Sequence, residues 1–178
     1  MTAAHAAKEE ASGGRGAIVA ALAAEPDGVL DEIARKLKVP LSAVLDALPP
    51  GAAGFAPGAR FAEIWRDLTE WGPVTFIVHT EDGVFETKAA LPPGSEGRGW
   101  FNIHGDSPLG GHLRADRCAA IAFIDRPFFG RRSCSVWFLN GDGGAMFKVF
   151  VGRDEKRALL PDQVARFESL RAKEAGAA

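Results

Sequence analysis

Strand-like runs separated by turn signals follow one another from residue 74 to residue 151, and no helical pattern interrupts them. The turns are rich in glycine, proline, aspartate and asparagine, as in E-D-G at 81–83 and N-G-D-G at 140–143. Strands joined by short turns pair in an antiparallel manner, because a parallel connection needs a longer crossover. The sequence therefore predicts an antiparallel sheet with strands at Val74–Thr80, Val84–Leu91, Trp100–His104, the run around His112, Ala119–Asp125, Ser133–Leu139 and Ala145–Val151.

Helical patterns lie on both sides of this run of strands. Short helices are predicted between residues 16 and 50, separated by a D-G and a V-P break. An amphipathic helix over Phe61–Glu70 precedes the first strand, and Pro161 begins the last helix. The expected fold class is α+β: an antiparallel β-sheet with a helical N-terminal segment and a C-terminal helix.

A length of 178 residues fits one structural domain with a real core. Residues 1–15 are predicted to be a disordered tail, because they are mostly alanine, glycine and charge. Residues 16–50 form the helical N-terminal segment. Residues 51–178 form the sheet domain with its flanking helices. The stretch P-P-G-A-A-G-F-A-P-G, which leads into this domain, is a linker by composition.

The spacing L-x-x-I-A-x-x-L-x-V-P in the helical segment is also typical of a helix-turn-helix. A recognition helix needs polar and basic side chains to reach bases and phosphates. The third helix, from Leu41 to Asp46, has neither lysine nor arginine, and the chain has a net charge of −2. We therefore interpret the segment as a packing or dimer-supporting module, and we expect no nucleic-acid partner.

The remaining sequence features predict a cytoplasmic protein without a membrane partner. No apolar run approaches the roughly 20 residues that span a bilayer. The N-terminus lacks the basic region and the apolar run of a signal peptide. Cys118 and Cys134 are the two cysteines and form no C-x-x-C pair, so neither a zinc knuckle nor a disulfide framework is indicated.

Three of the four histidines, His79, His104 and His112, begin or end strand-like runs. In each run the histidine alternates with the bulky apolar side chains, so it points away from the face that they form. If those apolar faces join one core, the three imidazoles emerge on the other side of the same sheet. The pattern indicates a metal or metallocofactor site; the alternative is that these histidines are simply exposed or hydrogen-bonded.

The composition around these histidines favours a flat apolar cofactor. The chain has no nucleophile elbow, phosphate-binding loop or H-E-x-x-H motif. Three histidines could bind zinc, but nothing in their spacing favours it. Tryptophan and phenylalanine are frequent, glycines allow close approach, and a haem iron can take one or two imidazoles. Without C-x-x-C-H, a haem would be haem b, held non-covalently. Candidate cations for its propionates are Arg98, Arg114, Arg132 and Lys148.

Several runs of the sequence resemble one known family. They are W-G-P-V-T-F-I-V-H-T, G-R-G-W-F-N-I-H-G, G-G-H-L-R-A-D-R-C, F-F-G-R-R-S-C-S-V and A-M-F-K-V-F-V-G-R-D-E-K-R. In this order they resemble the cytosolic haem-utilisation carrier proteins of the HutX/ChuX type, from about Gly16 to Leu170. The resemblance implies an antiparallel sheet with flanking helices. It also implies homodimers that are similar to the two-repeat haem-trafficking and haem-degrading proteins of the HemS/ChuS type.

The same resemblance implies site residues. The family histidine of the F-I-V-H strand matches His79, and that of the G-H-[IL]-[RK]-A-[DE] strand matches His112, so both are candidate axial ligands of the iron. Many members have a tyrosine where this chain has Trp100, and this chain contains no tyrosine. His104 is then a candidate replacement ligand, and Trp100 a candidate stacking partner of the haem.

The sequence and the resemblance together predict an intracellular haem-binding carrier, not an enzyme. It would accept imported haem and deliver it to a haem-degrading or haem-using protein. The alternatives are a haem-degrading enzyme similar to a haem oxygenase, and a haem-responsive helix-turn-helix regulator.

Overall fold

The computed structural model describes residues 3–176, and the side chains of residues 14–176. The helices are α1 (Ala3–Ala24), α2 (Leu30–Leu37), α3 (Leu41–Asp46), α4 (Phe61–Thr69) and α5 (Pro161–Ala175). The strands are β1 (Ala53–Pro57), β2 (Pro73–His79), β3 (Val84–Ala90), β4 (Gly94–Gly97), β5 (Trp100–Ile103), β6 (Gly111–Leu113), β7 (Cys118–Phe128), β8 (Arg131–Asn140) and β9 (Ala145–Phe150). Two short 3-10 helices lie at Gly58–Arg60 and Ala115–Arg117.

The strands form two antiparallel sheets. The larger sheet has six strands in the order β1-β7-β8-β9-β2-β3, and the smaller sheet has three in the order β4-β5-β6. The predicted α+β class, with an antiparallel sheet and helices at both ends of the chain, is confirmed. The prediction of a single sheet is wrong, because β4, β5 and β6 pair only with one another.

Two strands lie where the sequence pattern predicted none: β1 in the linker stretch, and β4 between the predicted strands Val84–Leu91 and Trp100–His104. Strand β1 pairs with β7, from Ala53 opposite Ile124 to Pro57 opposite Ala120. Strand β4 pairs with β5. Both have compositions that are poor in strand-forming residues, so their pairing is decided by the neighbouring strand and not by intrinsic propensity. In β4, a Cβ on Gly94 would lie 2.1 Å from the Phe101 ring, so glycine is needed for this ring to pack across the sheet.

Helix α1 begins at Ala3, within the segment that the sequence predicted to be a disordered tail. The side chains of residues 3–13, His5 among them, lie outside the described part of the chain, and the disorder of the tail stays a prediction. No helix within residues 3–176 is long and apolar enough to cross a membrane.

One face of the six-stranded sheet is covered by α4, α5 and the three-stranded sheet. Alternate residues of β2, including Val74 and Phe76, point into this core. The rings of Phe61, Phe138 and Phe147 pack there with centroids 4.4–6.0 Å apart. The strand period of two therefore leaves the next residues of β2, β8 and β9 on the opposite face.

Helices α1–α3 cover part of that opposite face. Ile33 of α2 and Val44 of α3 are buried in a second apolar cluster with Trp137 and Leu139 of β8 and Ile124 of β7. This contact fits the interpretation of the helical segment as a packing module. The helices cover mainly β7 and β8, and α2 reaches β9 and β2 through Asp31, which contacts Lys148 and His79. Much of the same face therefore remains open over β2, β3 and β9.

Replacing Gly58 by alanine should destabilise the fold, because the added Cβ would lie 1.9 Å from the carbonyl oxygen of Cys118 and the backbone must move. We expect a loss of about 1–3 kcal/mol of unfolding free energy in urea titrations. The matched control is Gly16→Ala in α1, where nothing lies within 4 Å of the added Cβ. It should be stabilising by about 0.5–1 kcal/mol. Equal stability of both variants would contradict the close approach at Gly58.

Candidate functional site

A large cavity occupies the open part of the six-stranded sheet. It has a volume of about 890 Å³, within the range of about 300–1,000 Å³ that is usual for small-molecule and cofactor sites. We call it the main cleft. Its floor is formed by alternate residues of the central strands, and one wall by the start of α2. The floor and that wall include Asp31, Thr75, Ile77, His79, Ser135, Trp137, Lys148 and Phe150.

His79 ends β2 on the cleft side of the sheet, together with Thr75 and Ile77. This arrangement confirms the alternation that the sequence predicted for β2. The imidazole is mostly buried, and its Nδ1 lies 3.5 Å from Oδ1 of Asp31. That distance marks an electrostatic contact with the carboxylate, too long for a strong hydrogen bond. Nε2 is the ring nitrogen that this contact leaves available.

Asp31 also neutralises a buried lysine in the floor of the cleft. Nζ of Lys148 donates to Oδ2 of Asp31 at 2.5 Å, and the lysine is only 3% exposed. The ammonium group lies 3.9 Å from the ring centroid of Trp137, a cation–π contact. Burial lowers the pKa of Lys148, and Asp31 opposes that shift. Lys148 was predicted to pair with a propionate, but within the chain its partner is Asp31.

Aromatic side chains form the next part of the cleft. The Phe150 ring lies 6.4 Å from Trp137 and 6.5 Å from Phe128, measured between centroids. Phe128 contacts Phe129 at 4.5 Å. Phe129 has a left-handed backbone with φ of 48° and is 72% exposed, so the turn between β7 and β8 presents its ring to solvent. A flat apolar ligand would find a continuous aromatic surface here.

A buried arginine fixes the wall of the cleft to the sheet. Nη1 and Nη2 of Arg126 donate to the carbonyl oxygens of Gly28 and Pro26, at 2.9 and 2.6 Å. Burial lowers the pKa of Arg126. These bonds hold the turn between α1 and α2 against β7, and thereby position Asp31 at the start of α2.

The other two candidate histidines lie at the three-stranded sheet, His112 within β6 and His104 directly after β5. Nδ1 of His112 contacts Oδ1 of Asn102 at 2.7 Å, and Nε2 of His104 contacts Oγ of Ser95 at 2.7 Å. The ring of Trp100, 43% exposed, lies 6.3 Å from that of His112. As predicted from the alternation of β5, Phe101 points to the core, and these polar side chains point away from it.

The prediction that the three imidazoles share one face of one sheet is therefore wrong. His79 belongs to the six-stranded sheet, on its cleft face, whereas the three-stranded sheet packs against the core on the opposite face. Within residues 14–176, no three histidine, cysteine, aspartate or glutamate side chains are grouped so that they could hold a metal ion. One chain thus presents His79 at one place and both His104 and His112 at another, and a three-histidine zinc site does not form in this part of the chain.

The predicted propionate partners Arg114 and Arg132 both have carboxylate partners in the chain. Arg114 forms a two-pronged pair with Asp116, at 2.8 and 2.6 Å, and lies over the Trp100 ring. Arg132 pairs with Asp125 at 2.7 Å and with Glu168 of α5 at 3.0 Å. The hydrogen bonds that Arg132 donates to Asp125 raise the pKa of Arg132. Arg98 lies in the turn between β4 and β5, with a left-handed φ of 53°.

Neither cysteine offers a reactive thiolate. Burial raises the pKa of Cys118 to about 11 and that of Cys134 to about 12. Both groups are therefore neutral thiols near pH 7, as expected of cysteines that contribute to packing.

Comparison with known proteins assigns the chain to a family. The model of the family described as haem utilisation ChuX/HutX matches residues 55–170. The chain belongs to the ChuX/HutX family of haem-utilisation proteins. A curated relative, the intracellular haem transport protein HutX of Vibrio cholerae, is 39% identical over 139 residues, which cover 78% of this chain and 72% of the relative.

Solved structures agree with this assignment. A protein from Agrobacterium tumefaciens is 48% identical, with 98% of each chain covered and a TM-score of 0.89. The haem-binding protein ChuX is 38% identical, with 88% of this chain and 97% of ChuX covered and a TM-score of 0.80. The E. coli haem oxygenase ChuS is 15% identical, over 79% of this chain and 43% of ChuS, with a TM-score of 0.65. That likeness shows a common fold.

Replacing Asp31 by alanine should destabilise the protein, because the buried Lys148 ammonium would lose its carboxylate. Breaking a buried pair on one side costs about 3–5 kcal/mol. The control Glu25→Ala breaks the exposed pair with Lys36, and should cost less than about 1 kcal/mol. The double change Asp31→Ala with Lys148→Met should recover most of the loss. Urea unfolding at pH 7 measures all four proteins.

The loss caused by Asp31→Ala should also depend on pH. Burial lowers the pKa of Lys148 in the folded state, so between that pKa and the usual lysine value of about 10.4 the unfolded chain binds more protons. Stability therefore rises with pH in this window. Without Asp31 the pKa of Lys148 in the folded state falls further, so this window extends to lower pH. The deficit in unfolding free energy relative to the parent should therefore shrink between pH 7 and about pH 10. A deficit independent of pH would exclude the lysine as its source.

Proposed function

We propose that this protein binds haem in the main cleft and delivers it, inside the cell, to a haem-degrading or haem-using partner. The observation that supports this most directly is the cleft itself: it has a mostly buried histidine, an aromatic surface and an excess of basic side chains. Haem is flat and apolar with two carboxylates and an iron that takes imidazole, so it matches each of these features. The relatives named above, a haem transport protein and a haem-binding protein, point to the same ligand.

Cytoplasmic location and non-covalent binding of haem b form part of the proposal. The Vibrio relative is described as intracellular. The chain has no C-x-x-C-H motif through which a haem could be attached covalently.

We propose His79 as an axial ligand, with Nε2 towards the iron. A histidine that binds a metal usually directs its other ring nitrogen to a carboxylate or carbonyl, which fixes the ring. Asp31 occupies that position relative to Nδ1 of His79. Asp31 is itself held by Lys148, so the orientation of the imidazole does not depend on an exposed side chain.

His112 remains the second proposed ligand, with His104 as its alternative and Trp100 as a stacking surface. Their sheet lies on the other side of the core from the main cleft. One haem can contact both His79 and His112 only if a second copy of the chain brings its three-stranded sheet to the cleft. The proposal of two ligands is therefore linked to the proposal of a homodimer.

Absorption titration with ferric haem tests the binding. The parent should show a saturable shift of the main haem band, and His79→Ala and His112→Ala should each shift that band or weaken binding by at least about tenfold. The control Lys36→Ala changes an exposed residue outside the main cleft, and it should bind like the parent. If both histidine variants bind like the parent, the proposed ligands are wrong.

The carrier function has its own readout. Haem bound to the protein should pass to haem-free myoglobin, and should survive added reductant without forming biliverdin. Conversion of the haem to biliverdin and free iron would instead show a haem-degrading enzyme.

The homodimer is tested by sedimentation. Strand β3 is an edge of the six-stranded sheet, and its Val84 and Phe85 are 52% and 69% exposed. Exposed apolar edges favour pairing with another chain. We expect a dimer at micromolar concentration, and a monomer across that range would contradict both the dimer and the sharing of one haem by His79 and His112.

A further inference from the structure

A second, smaller cavity beside the main cleft is strongly basic. Its volume is about 580 Å³, and four arginines but only one carboxylate, that of Glu168, line it. Three of the four, Arg131, Arg153 and Arg157, line the main cleft as well. These three, which we call the arginine rim, therefore stand where the two cavities meet.

Two members of the arginine rim, Arg153 and Arg157, lie in a compact loop between β9 and α5, and Arg131 begins β8. Arg153 pairs with Leu159 in an isolated bridge, and its guanidinium donates to the carbonyl oxygens of Arg157 at 2.9 Å and Arg132 at 2.7 Å. Oδ1 of Asp154 accepts the amide of Ala158 at 2.9 Å, which closes the turn. The loop is thus fixed to β8, and Arg153 contributes to its structure as well as to its charge.

The other two arginines of the rim, like Lys88 of β3, have no partner in the described part of the chain, whereas four of the cations discussed above do. Lys148, Arg126, Arg132 and Arg114 are each bonded to a carboxylate or to backbone carbonyls of the chain. Within residues 14–176, the side chains of Arg131 and Arg157 have neither a hydrogen bond nor an ion pair, and both residues are exposed. Like charges brought together without counter-charges repel one another, and a bound anion relieves the repulsion.

We propose that the arginine rim binds the propionate carboxylates of haem that lies in the main cleft. This inference rests on the proposed function. The apolar ring would contact Phe150, Phe128 and Trp137, and the carboxylates would reach the end of the cleft where the cations have no partner. Guanidinium groups bind carboxylates through paired, charge-assisted hydrogen bonds, which suits two neighbouring arginines to two neighbouring propionates.

The assignment differs from the one that the sequence predicted. Arg114 lies on the three-stranded sheet and Arg132 is paired with Asp125 and Glu168, so each would have to give up a carboxylate of the chain to bind a propionate. Arg131 and Arg157 would lose only hydrogen bonds to water when they bind a propionate. The exchange is therefore more favourable at the arginine rim.

The test compares haem with haem dimethyl ester, in which both propionates are blocked, on the full chain. Arg131→Gln and Arg157→Gln should each weaken haem binding about three- to fivefold, as expected for exposed charge pairs, and the double variant about tenfold or more. None of the three should change binding of the ester. Arg66→Gln, which changes an exposed arginine of α4 that lines neither cavity, is the matched control and should bind both ligands like the parent. Circular dichroism verifies that each variant is folded.

Two results overturn the inference and can be told from a failure of the proposed function. If the parent binds haem but the double variant binds it equally well, haem binding stands and the arginine rim is not the propionate site. If the double variant loses affinity for haem and for the ester equally, the arginines act on the cleft and not on the carboxylates. A parent that binds neither ligand would instead refute the proposed function.

Discussion

One face of the six-stranded sheet packs into the core and the other lines the main cleft, and the rest of the structure depends on this difference. Because side chains alternate along a strand, a residue of β2 that enters the core places its neighbours on the cleft side. Val74 and Phe76 secure the first face, and Thr75, Ile77 and His79 are thereby presented on the second. The core and the candidate site are consequently specified by the same strands. A shift of register by one residue would exchange them.

The helical segment completes the site through one buried ion pair. Asp31 of α2 neutralises Lys148 of β9 and faces His79, so three elements that are distant in sequence meet at one carboxylate. A buried pair adds little net stability, since desolvation offsets the attraction, but losing one partner is costly. Here the ion pair fixes the position of α2 relative to β9. Any displacement of α2 would leave the ammonium group of Lys148 unpaired, so α2 and β9 are held in one arrangement.

Charge is distributed unevenly over the molecule. The chain as a whole has a net charge of −2, yet six lysines and arginines line the main cleft against three carboxylates. A cleft with one sign of charge attracts ligands of the opposite sign and raises their local concentration. The buried cations of the cleft have partners within the chain, Lys148 in Asp31 and Arg126 in backbone carbonyls, whereas Arg131 and Arg157 face solvent. The cleft therefore contains two kinds of cation: those that bond to other parts of the chain and stabilise the fold, and those that are free to bind an anion.

The sequence determined the fold class, most strand positions and the face on which His79 lies, because these follow from local periodicity and turn chemistry. It did not reveal β1 or β4, whose strand state depends on pairing with β7 and β5. It also grouped His79 with His104 and His112, because alternation fixes a side within one strand but does not say which strands share a sheet. Lys148 pairs with Asp31, 117 positions away, and Arg132 pairs with Glu168, 36 positions away. Only the tertiary structure decided these two pairings. Ion pairing depends on distance in space, and no pattern along the chain encodes it.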